Sequence, residues 1–311
     1  MNNRHVKLIG LYSTKYSIRG GVGLVFLLLS LIFGLSVASS LLQPVELLVK
    51  EGAKRGIELT REDVVNQIKD ERIIRGTVSW VLGSNAIEEI EDPEEKQAAE
   101  EELEQWTDHL LDDHPALLSA ILMILLWGWP FVTIMGAFNL FSGDIQSRGI
   151  RFHLMRADRS SIFFGRVLGM VIAHALVLVF LALTIVLYMG AKLPFYGWGP
   201  LLTWGMQGCL VLIILSIPYI AASAWISSAI DSPMVSLIVI TLLVGGVPIV
   251  ALIGRNTWEP LENVTYLLPW GTQVYLQHHS LSHFLAATFG CLGYAAVFLF
   301  LGHRHFTRRD L

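Results

Sequence analysis

Six long apolar runs dominate this chain, near Gly21–Leu42, Ala116–Phe141, Ser161–Gly190, Pro200–Ile230, Met234–Gly254 and His283–Gly302. Each is long enough to cross bilayer hydrocarbon about 30 Å thick, which takes roughly 20 helical residues. Only 15% of the 311 residues are charged and 53% are hydrophobic, whereas a soluble domain carries about a quarter charged residues. The predicted fold is an all-α membrane protein with six transmembrane helices. The third and fourth runs exceed the minimum and are expected to tilt or to project into water at one end.

Short flanking segments set the orientation. The first 20 residues carry Arg4, Lys7, Lys15 and Arg19, and the chain ends in Arg304, Arg308 and Arg309. Between the second and third runs, Ser142–Gly169 holds five arginines, Arg148, Arg151, Arg156, Arg159 and Arg166, against Asp144 and Asp158. The short loops on the other side offer only Lys192 and Arg255. An excess of Lys and Arg in short loops marks the cytoplasmic side, so both termini are expected there. In residues 1–20, Ile9, Tyr12 and Tyr16 share a helix face beside Arg4, Lys7 and Lys15, predicting a cytoplasmic amphipathic interface segment.

Residues 43–114 hold most of the 26 acids and form an extracytoplasmic insert between spans one and two. Thr60-Arg61-Glu62-Asp63 resembles a helix start, followed by a stripe of Val64, Ile68, Ile74, Val78 and Val81. A second helix is marked by Pro93 and by Ala99, Leu103, Trp106 and Leu110, so a small helical hairpin is expected. Its glutamates lack the spaced loop and glycine turn of a calcium site and read as a solvated face. A docking surface for an extracytoplasmic partner is the sharper alternative.

Within the bridge of residues 142–161 and the start of the third run, acid, glycine, apolar and basic positions follow in a fixed order: Asp144, Gly149, the apolar Phe152, Leu154 and Met155, then Asp158-Arg159-Ser160-Ser161 and Gly165-Arg166. This order resembles the membrane subunits of ABC transporters of the type-2 export class. That family commonly has a glutamate in place of Asp144, a Pro-x-Ser-Arg element in place of Asp158-Arg159-Ser160-Ser161 and Gly-Lys in place of Gly165-Arg166. The tail Phe306-Thr307-Arg308-Arg309-Asp310 resembles the family's ending, and the large insert is similar to that of the copper-enzyme maturation branch. The resemblance implies a dimeric export permease driven by a separate cytoplasmic ABC ATPase. The second permease copy and the lipid bilayer are its other partners, and no nucleic acid is involved. It also implies that Asp144, Gly149, Arg151, Phe152, Arg156, Arg159 and Arg166 couple to that ATPase. Physically, a short amphipathic helix can fill a groove on the ATPase while its arginines pair with surrounding acids. Setting topology and meeting lipid phosphates are the arginines' simpler use. A membrane scaffold that acts on an external partner through residues 43–114, moving no solute, is the other functional reading.

No Gly-x-x-x-x-Gly-Lys-[Ser/Thr] phosphate loop occurs, so ATP and magnesium are expected on the partner and no cofactor on this chain. The spans are nearly free of carboxylates, and Cys209 and Cys291 have no histidine motif beside them, which argues against an intramembrane hydrolase. Both cysteines are expected to act as small apolar packers. His174, well inside the third run, is a possible pathway residue by default, or a neutral bond to a neighbouring helix. Residues 255–282 are polar but rich in aromatics and suit short re-entrant or interfacial helices. Within them and just beyond, His278, His279 and His283 suggest a metal, yet no local acid or cysteine completes a set, so none is expected.

Overall fold

A computed structural model describes residues 3–19, 21–54, 92–193, 195–257 and 259–309. Among them the architecture is all-helical, and six helices are long and apolar enough to cross a membrane. The ten α-helices are α1 (Asn3–Arg19), α2 (Gly21–Lys54), α3 (Pro93–Asp108), α4 (Ala116–Ala137), α5 (Ser142–Gln146), α6 (Ile150–Leu154), α7 (Arg159–Lys192), α8 (Trp198–Ala229), α9 (Pro233–Thr257) and α10 (Leu281–Arg308). The spans are α2, α4 and α7–α10.

α4 and α8 form the centre of the bundle and bury most of their side chains, including Trp129, Leu215 and Tyr219. α8 packs along α10, α7 and α4, while α2 lies against α4 and α7. Trp129 donates its indole N–H to Ser216 Oγ at 2.9 Å, satisfying a buried polar group across the α4–α8 contact. Cys209 and Cys291 are free thiols buried in this packing. By contrast, α9 and α10 leave large apolar side chains such as Leu242 and Phe289 outward, as helices solvated by lipid do.

The helix of the first span outlasts its apolar stretch. Hydropathy falls after Leu42, but the helix continues through Pro44 to Lys54. Glu46 in this extension lies 3.2 Å from Lys192 at the end of α7. The backbone therefore projects beyond the apolar stretch as a polar helix, and the insert begins as its continuation. The expected helix over Thr60–Val81 lies outside the described residues. The second insert helix is α3, capped by Asp92, whose carboxylate accepts from Glu94 N at 3.0 Å, with Pro93 in the first turn.

α1 packs lengthwise on α7, with Ile9 of the predicted apolar face at the contact. Gly10 and Thr14 join it there, while Leu8, Leu11 and Tyr12 are exposed. Thr14 Oγ1 donates toward Gly10 O at 2.9 Å and Gly169 O at 3.0 Å. A Cβ at Gly169 would sit 2.6 Å from Gly10 O, and one at Gly165 would sit 2.8 Å from Ile9 Cβ. Small residues four apart let two backbones approach in a membrane where apolar burial alone drives little association.

Candidate functional site

The bridge between α4 and α7 lies at the end of the bundle that also carries both described termini. It opens where Ser227 of α8 accepts from Phe141 N at 2.8 Å and Ser142 N at 2.9 Å. This hydroxyl satisfies two amides that a short helix start leaves without intrahelical partners. Asp144 of α5 pairs with Arg166 of α7. Arg166 also donates to Leu140 O at 2.9 Å, and its guanidinium lies 5.6 Å from the centre of the Phe141 ring. The bridge closes at Asp158, whose carboxylate caps α7 by accepting from Ser161 N at 3.1 Å and Ser161 Oγ at 2.7 Å. Those bonds hold the Asp158 pKa below the usual carboxylate value.

Arg159 reaches the C-terminal segment, donating to Thr307 O at 2.9 Å and Arg309 O at 2.6 Å. Arg309 in turn donates to Ser228 O at 2.8 Å and pairs with Asp231. Phe141, Phe163 and Phe306 fill the space beneath, with the first two rings stacked at 5.2 Å. One polar and aromatic network thus ties α4, α7, α8 and α10 to the two ends of the bridge.

Between those ends the bridge turns outward. Arg148 has a φ of 58°, a left-handed conformation that costs a residue with a Cβ about 1 kcal/mol or more. Its neighbour Gly149, the position matched by resemblance, has an ordinary φ of −63°. Beyond it Phe152 and Met155 are 69% and 73% exposed, flanked by exposed Arg151 and Arg156. The expected coupling residues therefore divide. Asp144, Arg159 and Arg166 are committed to internal bonds, whereas Arg151, Phe152 and Arg156 form an outward basic and apolar tip.

Behind the tip lies a cavity of about 730 Å³ between α1, α2, α4, α7 and the bridge. Its mouth is polar, with Asn139, Asp144, His153, Arg156 and Arg166, and its floor is apolar, with Phe26, Met170 and Val177. The His153 pKa is lowered, first by burial at the cavity edge and then by Arg166, with Asp144 opposing and Arg156 adding to the shift. The ring still meets solvent. His174 lies deeper and is buried, its Nδ1 3.0 Å from Met170 O and its Nε2 3.3 Å from Thr133 O in α4. A neutral imidazole has one N–H and serves one of these carbonyls at a time. The Thr133 carbonyl is the one on a neighbouring helix.

Residues 16–311 match the family described as ABC-2 family transporter protein. The chain belongs to that family. It is an integral membrane permease subunit of the ABC transporter class, and an ABC ATPase is the general partner of such subunits. No curated protein matches the chain. The permease places its outward tip where helices from both halves of the chain converge. Sequence reading missed Gly10, Gly169, Ser227 and the Arg159 contact with the chain end, all of which depend on pairings between distant segments.

At the opposite end of the permease, three 3₁₀ segments, Glu259–Leu267, Pro269–Gly271 and Gln273–Gln277, fold back over the spans. Trp270 donates its indole N–H to Val244 O at 3.0 Å, and its ring lies 5.6 Å from Trp127. α3 sits on the last segment, with the Trp106 indole donating to Gln277 O at 3.0 Å. The His278 ring lies tilted against Trp106 at 4.5 Å and 3.2 Å from Glu102. Burial first, and then His279 and His283, lower the His278 pKa, and Glu102 opposes them.

Proposed function

We propose that this chain works as one of two permease copies in an ATP-driven exporter, with each copy docked through Ser142–Ser161 onto a cytoplasmic ABC ATPase. ATP and magnesium are handled by the ATPase. The observation that carries this reading is the exposed tip of Arg151, Phe152, Met155 and Arg156, mounted on a base tied to the bundle through Asp144–Arg166 and Arg159. An apolar pair ringed by arginines suits a groove edged with acids. Its base enters α7 directly, so displacement of the tip is passed to a span without an intervening flexible linker. The bridge also forms one wall of the 730 Å³ cavity, so the same displacement reshapes that space. The termini, their basic residues and the bridge share one end, which is the cytoplasmic end under the positive-inside rule. The copper-enzyme maturation branch and a bacterial plasma membrane location follow from resemblance and remain part of this proposal.

The scaffold reading is favoured by one observation, the seating of α3 on Gln277 and His278. Through that contact, motion of α10 could reach an external partner. The readings separate when the permease–ATPase complex is reconstituted in vesicles and the contents with and without ATP are compared by mass spectrometry. An ATP-dependent change that persists after removal of residues 55–91 supports the exporter. Intact ATPase activity with no change in vesicle contents contradicts it.

A further inference from the structure

We propose that Glu102, His278 and His283 form a binding site for a divalent transition-metal ion of the zinc class, at the seam between the insert and the bundle. Glu102 is on α3, His278 follows the last 3₁₀ segment, and His283 is in the first turn of α10. One ligand atom from each residue lies within 4.8 Å of the other two. Glu102 and His278 are 176 positions apart, which is why no local acid was visible beside the histidines.

The donor set is that of a three-ligand zinc site, two imidazoles and one carboxylate with a fourth position open to water or an exchangeable ligand. Zinc bonds of about 2.0–2.1 Å place tetrahedral ligand atoms roughly 3.3 Å apart. Glu102 Oε1 and His278 Nε2 are already 3.2 Å apart. His278 is the fixed member, with its side chain 1% exposed and packed against Trp106. Glu102 and His283 are exposed and can close the remaining gap by side-chain rotation.

A simple hydrogen bond between Glu102 and His278 accounts for neither His283, whose ring is 4.4 Å from His278, nor the unpartnered buried Nδ1 of His279. That second ring stacks on His278 at 4.3 Å. Without metal, Ser280 N donates to His278 Nδ1 at 2.9 Å, so a neutral ring carries its proton on Nε2. Metal at Nε2 takes that position, the ring proton shifts to Nδ1, and the Ser280 amide turns aside. The histidine row continues through His109, 6.4 Å from His279, to His114, 4.7 Å further. The ion would fasten α3 to α10 and so join the insert to the last span.

The test is zinc titration of the purified, chelator-stripped full-length chain, with bound metal counted by mass spectrometry and affinity measured by calorimetry. One zinc per chain is expected, weakened at least tenfold in both Glu102→Gln and His283→Ala. These exposed positions should leave the zinc-free melting temperature unchanged, and zinc should protect α3 from protease in the wild type alone. Absence of stoichiometric zinc, wild-type affinity in both variants, or loss of binding only on His109→Ala would overturn the site. Displacement of zinc by equimolar calcium would overturn the metal class.

Discussion

Arg166 of the third span pairs with Asp144 of the bridge while donating to Leu140 O, so one guanidinium holds the bridge to the helices on both sides of it. A lysine cannot reproduce this, because its single ammonium lacks the planar fork that reaches two acceptors. Arg166→Lys is expected to destabilise the detergent-solubilised protein by about 1 kcal/mol, and Arg166→Ala by about 1–3 kcal/mol. Thermal melting checks the order. Equal melting temperatures for wild type and Arg166→Ala would mean the pair contributes nothing to the bridge.

Gly169 is the tightest point between α1 and α7. A methyl group there meets a backbone carbonyl that cannot rotate away. Gly169→Ala is expected to displace α1, and Gly169→Val to detach it, at an overpacking cost of about 1–3 kcal/mol. A cysteine introduced at Thr14, which is buried at this contact, would report separation by a rising yield of maleimide labelling. Unchanged yield in Gly169→Val would show that the helices do not pack through this stripe.

Arg148 occupies a left-handed backbone position with a bulky side chain. Glycine adopts that conformation freely but adds unfolded-state entropy. Arg148→Gly is therefore expected to be neutral to stabilising by about 0.5 kcal/mol, against the usual cost of glycine in a helical region. A marked drop in melting temperature would indicate that the arginine side chain holds the turn.

His153 is held below the ordinary histidine pKa by the cavity edge and by Arg166. Between its folded value and the unfolded value of about 6.5 the unfolded chain binds the extra proton, so stability rises with pH across that window. The contribution is complete above about pH 6.5 and declines below it. Melting temperatures between about pH 7.5 and pH 5.5 should fall less in His153→Gln than in the wild type. Parallel profiles would assign the acid sensitivity to other groups.

Much of the bundle was legible because apolar runs and helical spans obey the same length rule. The bridge was legible as a charged interval, and the second insert helix as Trp106 and Leu110 at helical spacing. The division of the arginines was not. Nothing local distinguishes Arg159, bonded to the chain end, from Arg156, which is exposed. Gly10 and Thr14 on α1 were not legible because periodicity weights large apolar side chains, whereas their contact depends on small size. The continuation of α2 to Lys54 was not legible because a helix can outlast its hydrophobic stretch. Glu102 stayed hidden beside His278 because only the tertiary fold brings them together.

The most direct test is co-purification of the endogenous ABC ATPase with tagged wild-type permease and with the Arg151→Glu/Arg156→Glu variant, alongside melting curves for both. The ATPase should accompany the wild type and be lost from the variant while the melting temperature stays the same, because both arginines project from the tip. Retention of the ATPase by a folded variant, or its absence from the wild type, would contradict docking through this surface.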